Sequence, residues 1–304
     1  MSKITIVSAF ININRDNWKT FGRSEEQYFD YFKIWAKIKN NIIVYVETKE
    51  LKEKIINFRK KLGLEKQTNV IIVDNFFMLD KELYKSIEKV TKNENQKSFR
   101  TKPNNPEVWN ASYDYIMLMK MWCVNDAIKK GLAKGMIAWV DFGYLHGGKG
   151  LISEKSDFNF EWKYEFGDVF HLFTLQEIDD KPIFEIVQNM DTYIMGTILI
   201  GPDRLWPNFW ESMRNNMITL NKCGLVDDDQ TIILMCYREN PTMYELHKSN
   251  WDLPMWQFGG EHLILNEKKH SSIIKKIGKR LKDTIINIRY SKNIFIKLQR
   301  LKRK

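Results

Sequence analysis

The feature that most constrains the fold is a short apolar segment, residues 135–144, that ends in an acid and continues into glycine-rich chain. It reads Gly-Met-Ile-Ala-Trp-Val-Asp-Phe-Gly-Tyr, and Leu-His-Gly-Gly follows. Buried strands are apolar runs of this kind, and open α/β sheets bind ligands beyond the carboxyl ends of their strands. Asp141 is therefore predicted to present a carboxylate to a cleft, where it could bind a divalent cation that holds a diphosphate. The alternative is an acid that caps the turn beside Gly143.

The rest of the first half alternates between strand-like and helix-like segments. Strands are predicted at residues 4–10, 42–46, 70–73 and 136–140, and helices at 25–39, 51–62, 80–90 and 111–130. This alternation predicts an α/β fold with parallel strands joined by right-handed crossovers. Further along, strands are predicted at 168–175, 183–187 and 193–200, helices at 205–220 and 227–239, and a loop at 91–106. We expect one domain over residues 1–265.

The net positive charge of the chain is concentrated in residues 266–304. The net charge is +10, but residues 266–304 hold fourteen of the 48 basic residues and two of the 38 acidic ones, which leaves residues 1–265 with 34 basic and 36 acidic side chains. A nearly neutral body argues against a nucleic-acid-binding domain, so no nucleic acid is expected as a partner. In the tail, apolar residues recur every three or four positions between lysines and arginines, which predicts a basic amphipathic helix at an anionic membrane surface. Packing of that helix on the body is the alternative, and RNA binding ranks third.

Cysteine usage and hydropathy indicate a compartment. The three cysteines have no CxxC spacing and are odd in number, as is typical of buried thiols in a reducing environment. No uncharged apolar run approaches the roughly 20 residues of a membrane-spanning helix, and the N-terminus is too strand-like for a signal peptide. We expect a cytoplasmic protein that is peripherally associated with the inner membrane.

Three consecutive acids, Asp227, Asp228 and Asp229, open a predicted helix. An acid at a helix N-terminus is favoured by capping and by the helix dipole, and Asp227 is assigned that role. Like charges so close together should raise at least one pKa, which suits a general base. Asp228 and Asp229 are therefore the candidate catalytic residues.

Several residues are candidates for contact with a nucleotide diphosphate. Ser8, Ala9 and Phe10 end the first strand, at the edge where nucleotide-binding sheets contact the base and ribose. Arg15 and Lys120 could each pair with a phosphate; surface contacts are an equal alternative for both.

A late segment, Trp-Gln-Phe-Gly-Gly-Glu-His over residues 256–262, supplies further candidates. Gly259 and Gly260 would let the backbone approach a phosphate closely, and His262 is a plausible metal ligand. A histidine with a structural role is the alternative.

The strand-end block at residues 139–144, the end of the first strand at 8–15 and the acids at 228–230 together resemble the HtrL/YibB family. That resemblance implies a bacterial protein associated with lipopolysaccharide or lipooligosaccharide biosynthesis. It also implies a fold similar to GT-A glycosyltransferases, with a central, mostly parallel (mixed) sheet and a nucleotide-sugar donor.

In GT-A enzymes a strand-end Asp-x-Asp binds Mn²⁺ or Mg²⁺. Asp141 matches the first acid of that motif, and Gly143 stands where the second should be. The resemblance then implies that metal binding depends on His262, on Asp168 or Glu165, or on water, or else that Lys or Arg neutralises the diphosphate.

The expected function is transfer of a sugar from a nucleotide-sugar donor to a lipid-linked glycan acceptor of the bacterial surface. Residues 266–304 would hold the enzyme at the anionic inner leaflet. Two alternatives stay open: a nucleotidyl- or phosphoryltransferase, and a catalytically inactive GT-A-like binding protein.

Overall fold

The computed structural model describes residues 3–145 and 151–266. Within these ranges lie seven strands: β1 Thr5–Phe10, β2 Ile42–Val46, β3 Thr68–Ile72, β4 Met136–Val140, β5 Phe170–Thr174, β6 Ile198–Pro202 and β7 Tyr244–Lys248. The helices are α1 Glu25–Trp35, α2 Lys49–Lys61, α3 Lys81–Thr91, α4 Glu94–Phe99, α5 Pro106–Trp109, α6 Ala111–Lys129, α7 Ile183–Asn189, α8 Trp206–Lys222, α9 Asp229–Glu239 and α10 Pro254–Gln257.

All seven strands belong to one sheet, in the order β3-β2-β1-β4-β6-β5-β7. The pairs β1–β2, β2–β3, β1–β4 and β5–β7 are parallel. Strand β6 runs antiparallel to both of its neighbours, β4 and β5. The predicted fold class, a mostly parallel mixed sheet flanked by helices, is confirmed.

Alternating side chains of the central strands enter two separate cores, one on each face of the sheet. Val7 and Trp139 pack into one core together with side chains of α3, α6, α8 and α9. Ile6 and Val140 pack into the other core, against α1 and α2. Because these strands are apolar on both faces, they are buried along almost their whole length, with one partly buried residue in each. Such burial fixes the carboxyl ends of β1 and β4 side by side.

Some predicted elements differ from the structure. Residues 183–187 form the start of helix α7 rather than a strand, because a short apolar run does not distinguish the two. In the predicted strand at 193–200, only Ile198 onward is a strand. The predicted loop at 91–106 contains α4, whose N-cap Asn93 accepts a hydrogen bond from the Asn95 amide. Strand β7 was not predicted at all.

Within the described part of the chain, no helix is long and apolar enough to cross a membrane. From residue 267 onward, the predicted basic tail lies outside the described residues.

Candidate active site

A cleft of about 730 Å³ opens where β1 and β4 end. Both strands are parallel neighbours, so the residues that follow them meet at one edge of the sheet. Eight of the predicted site residues line this cleft: Ala9, Phe10, Arg15, Lys120, Asp141, Gly143, Asp228 and Asp229. The structure thus brings together residues from β1, α6, the end of β4 and the start of α9.

The central contact of the cleft is an ammonium group between two carboxylates. Lys120 Nζ lies 3.0 Å from Asp141 Oδ1 and 2.9 Å from Asp229 Oδ2, and it donates to the Gly196 carbonyl oxygen at 3.1 Å. Burial lowers the pKa of Lys120, but the two carboxylates raise it by more, so the net shift is upward and the amine is charged. We call Lys120, Asp141 and Asp229 the Lys120 cluster.

Asp141 is held in place by β4 and β6. Its backbone N–H donates to the Thr197 carbonyl oxygen at 2.9 Å, and the indole Nε1 of Trp139 donates to Asp141 Oδ1 at 2.8 Å. Both side-chain contacts therefore use Oδ1. The carboxylate remains partly accessible, with 26% of its side chain exposed.

Gly196 makes room for Asp229. A Cβ atom at Gly196 would lie 1.9 Å from Asp229 Oδ2, which is far inside contact distance. Position 196 must lack a side chain for Asp229 to reach Lys120.

The three consecutive acids have different partners. Asp228, not Asp227 as predicted, is the N-cap of α9: its Oδ1 accepts a hydrogen bond from the Gln230 amide at 3.1 Å. Burial, followed by the charges of Asp229 and Asp227, raises the pKa of Asp228 well above its ordinary value. Because Asp228 lines the cleft and binds protons tightly, its position and its pKa suit a proton acceptor.

Asp227 faces away from the cleft, towards Arg100. Its Oδ2 accepts a hydrogen bond from Thr231 Oγ1 at 2.8 Å, and its Oδ1 lies 3.5 Å from Arg100 Nη1. Nearby, Asp114 is completely buried, and neither of its carboxylate oxygens has a hydrogen-bond partner. Burial, then the charges of Asp227 and Asp228, raises its pKa well above the ordinary value.

The mouth of the cleft carries cations. Arg15 donates from Nη1 to the Tyr28 hydroxyl at 2.6 Å, and its guanidinium lies 5.0 Å from the Trp18 ring centroid. Arg23 and Lys102 also line the cleft. Among the described ion pairs, none includes Arg15, Arg23 or Lys102. Sequence reasoning missed Arg23 and Lys102, since neither stands next to a strand end.

Four predicted residues do not line the cleft. Ser8 is buried inside β1, and its Oγ has no hydrogen-bond partner. His262 Nε2 lies 3.2 Å from the Asp157 carbonyl oxygen, and Gly259 and Gly260 pack against the Lys163 and Met255 carbonyls. The structure therefore does not place a second metal ligand from this segment beside Asp141.

The other two candidate ligands, Asp168 and Glu165, do not supply that second carboxylate, and position 143 has little room for one. Asp168 pairs with Arg204 on the surface, and Glu165 is not part of the cleft lining. A Cβ atom at Gly143 would lie 3.0 Å from two ring carbons of Tyr28. A side chain at position 143 would need Tyr28 to shift.

Fold and site together define a class: an α/β protein whose cleft, at the carboxyl ends of parallel strands, combines buried carboxylates with cations. Residues 2–256 match a family model described as bacterial protein of unknown function (HtrL_YibB). Protein HtrL of Escherichia coli (strain K12) is 30% identical over 263 residues, which cover 81% of this chain and 88% of that protein. The chain belongs to the HtrL/YibB family, as its sequence resemblance predicted.

Proposed function

We propose that this protein is a glycosyltransferase that takes a sugar from a nucleotide-sugar donor and transfers it to a lipid-linked glycan of the bacterial surface. The observation that carries the proposal is the cleft itself. It combines cations that have no carboxylate partner within the described part of the chain with the buried Lys120 cluster and a proton-binding acid, Asp228.

The cations fit the donor's diphosphate. Arg15 and Arg23 line the cleft together with the end of β1, and neither forms an ion pair with a carboxylate among the residues described. A nucleoside diphosphate gains negative charge as the sugar leaves, and fixed cations in a protected site stabilise that charge strongly. Arginine pairs with phosphate oxygens in a bidentate manner.

Asp228 fits the role of general base towards the acceptor hydroxyl. Its raised pKa makes the ionised carboxylate a stronger base than an ordinary aspartate. Asp229 is less suited to this role because Lys120 binds its Oδ2 at 2.9 Å. We therefore assign proton removal to Asp228 and charge positioning to Asp229.

The predicted Mn²⁺ or Mg²⁺ site is not well matched by these residues. Asp141 already contacts a charged ammonium, which would repel a divalent cation at the same oxygen. His262 lies outside the cleft lining. We propose that Lys120 supplies positive charge at the place where metal-dependent enzymes hold their cation, and that Asp141 keeps Lys120 there.

In this proposal residues 266–304 bind the anionic inner leaflet, which brings the enzyme to its lipid-linked acceptor. Each basic residue near such a surface contributes about 1 kcal/mol of binding energy.

The test is release of nucleoside diphosphate from a panel of nucleotide sugars, with Mn²⁺ and with EDTA. We expect turnover of one donor that persists in EDTA. Asp141→Asn and Lys120→Met should lower it by about 10²–10³-fold, the usual effect of removing a charge-stabilising group. Asp30→Asn, which removes an exposed carboxylate that pairs with Lys33, is the control and should keep full activity.

Two results would contradict the proposal. If no nucleotide sugar binds or turns over, a non-catalytic binding protein becomes the better interpretation. If turnover requires Mn²⁺, the transferase stands but the assignment of Lys120 in place of the metal is wrong. Thermal unfolding of each variant distinguishes lost chemistry from lost folding.

A further inference from the structure

Three side chains with metal-binding chemistry meet at the β5–β7 side of the sheet, and none of them lines the cleft. In the parallel β5–β7 pair, His171 is the register partner of Glu245, and His247 follows two residues later on β7. Side chains two positions apart on a strand share a face. The backbone of two neighbouring strands therefore places all three on one side of the sheet.

Their ligand atoms lie close to the spacing of a tetrahedral metal site. His171 Nδ1 lies 2.9 Å from His247 Nε2 and 3.5 Å from Glu245 Oε2, and His247 Nε2 lies 3.9 Å from Glu245 Oε1. Bonds of about 2.0–2.1 Å from a tetrahedral zinc ion separate its ligand atoms by roughly 3.3–3.4 Å. A small movement of the Glu245 side chain, 55% of which is exposed, would bring its two distances to that value. The two imidazole nitrogens would also have to move apart by about 0.4 Å.

The second ring nitrogen of His171 fixes which nitrogen is free to bind. His171 Nε2 lies 3.0 Å from the Gly167 carbonyl oxygen, and a carbonyl can only accept, so Nε2 carries the proton. His171 Nδ1 is then left with a lone pair towards His247 and Glu245. Donation of the other ring N–H to a backbone carbonyl is the usual arrangement of a metal-bound histidine.

The surroundings hold the rings in place and leave one side open. The ring of His171 lies 4.7 Å from that of Phe166, and the ring of His247 lies 4.7 Å from that of Phe258. Burial lowers the pKa of both imidazoles, which favours the neutral form that coordinates metals. The exposed flank at Glu245 leaves a fourth position open to water.

We propose that His171, Glu245 and His247 bind one Zn²⁺ ion, with water as the fourth ligand. Two imidazoles and one carboxylate favour zinc over Mg²⁺ or Mn²⁺, which prefer all-oxygen sites. In the metal-free pair His247 Nε2 donates to His171 Nδ1. On metal binding His247 gives up this Nε2 proton to solvent and takes one up at Nδ1, so that it stays neutral and both facing nitrogens are free to bind the ion. This site is independent of the donor cleft and of the glycosyltransferase proposal.

The experiment is a Zn²⁺ titration of the chelator-stripped full-length protein, in competition with a chromophoric chelator. We compare the wild type with His247→Gln and Glu245→Gln. The matched control is His262→Gln, which removes a histidine outside the cluster that contacts a carbonyl oxygen and the Phe160 ring. Metal content after dialysis against Zn²⁺ gives the stoichiometry.

We expect His247→Gln to bind one fewer Zn²⁺ per chain or to bind it more than about 100-fold more weakly, since losing even an outer partner of a ligand costs about 10–100-fold. Co²⁺ should give the visible absorption of a tetrahedral site in the wild type and in His262→Gln, and not in His247→Gln.

Equal Zn²⁺ affinity and stoichiometry in the wild type and both cluster variants would overturn the proposal, as would loss of the same ion in His262→Gln. If His247→Gln fails to fold, the exposed Glu245→Gln decides the question.

Discussion

Two buried ion pairs use acids that are two residues apart in sequence, and their surroundings differ. Arg100 pairs with Asp227, and Lys120 pairs with Asp229, the two acids on either side of the α9 N-cap. The Arg100 side chain is fully buried. It also donates to two backbone carbonyl oxygens, that of Val187 at 2.6 Å and that of Val226. Lys120 is held just as deeply but also contacts Asp141, which lines the cleft.

The difference separates an ion pair that only joins parts of the fold from one that we propose to be functional. Arg100 ties α4 to α7 and to the segment before α9, and neither Arg100 nor Asp227 is part of the cleft lining. The Lys120 cluster has one member with an accessible carboxylate and therefore can respond to a ligand. Three predictions test this division between an Arg100 pair that stabilises the fold and a Lys120 cluster that acts on a ligand.

The largest expected effect is on stability, from Arg100→Met. The substitution leaves the Asp227 carboxylate and two backbone carbonyls buried without their partner, and breaking a buried pair in this way costs about 3–5 kcal/mol. Chemical denaturation measures the loss. Arg204→Met is the control, because Arg204 and Asp168 form an exposed pair worth at most about 1 kcal/mol. Equal losses in the two variants would contradict the structural role of Arg100.

The intermediate effect comes from Gly196→Ala, which removes no charge. The new methyl group would lie 1.9 Å from Asp229 Oδ2, so the carboxylate must leave Lys120. We expect a loss of about 1–3 kcal/mol, as for other overpacked sites, together with loss of nucleotide-sugar binding measured by calorimetry. Gly167→Ala is the control, since its nearest neighbouring atom would be 3.6 Å away. If Gly196→Ala binds the donor as well as the wild type, the contact between Asp229 and Lys120 is not needed for donor binding.

The smallest effect concerns Asp114, a buried acid in the same region with no hydrogen-bond partner. The folded protein holds its proton more tightly than the unfolded chain, in which the pKa is near 3.8. Stability should therefore fall as the pH rises from 3.8 towards the folded-state pKa. Asp114→Asn has no such proton, and it removes a charge that the carboxylates of Asp227 and Asp228 disfavour.

We expect Asp114→Asn to be more stable than the wild type by about 1 kcal/mol at neutral pH and to lose less stability over that pH range. Thermal unfolding between pH 4 and 8 measures both. A variant that follows the wild-type pH profile would show that Asp114 does not titrate there.

The sequence predicts this fold well where the residues of a segment are enough to identify it as a strand or a helix. The apolar runs that end at Phe10 and Val140 are buried on both faces, so their boundaries are visible in the residues themselves. Residues 183–187 carry only a short apolar run, and the structure folds them into a helix whose Ile186 and Val187 pack into the core. Contacts with residues distant in sequence determine that this segment is a helix.

The site was harder to predict because its contacts are distant in sequence. Lys120 and Asp229 are 109 residues apart, and nothing in α6 distinguishes an exposed lysine from one that is 4% exposed. The roles within the acidic run depend on the exact helix start, which made Asp228 the cap in place of Asp227. The assignments of Asp228, Asp141 and His262 to chemistry remain predictions.

Gly196 offers a way to sort related sequences without any structure. This glycine does not have a positive φ, so a backbone argument alone would permit any residue there. It is required only by the carboxylate beside it. An aligned sequence that keeps an acid at 229 and a lysine at 120 but places a larger residue at 196 cannot form the same Lys120 cluster, and its activity should not be inferred from that of this protein.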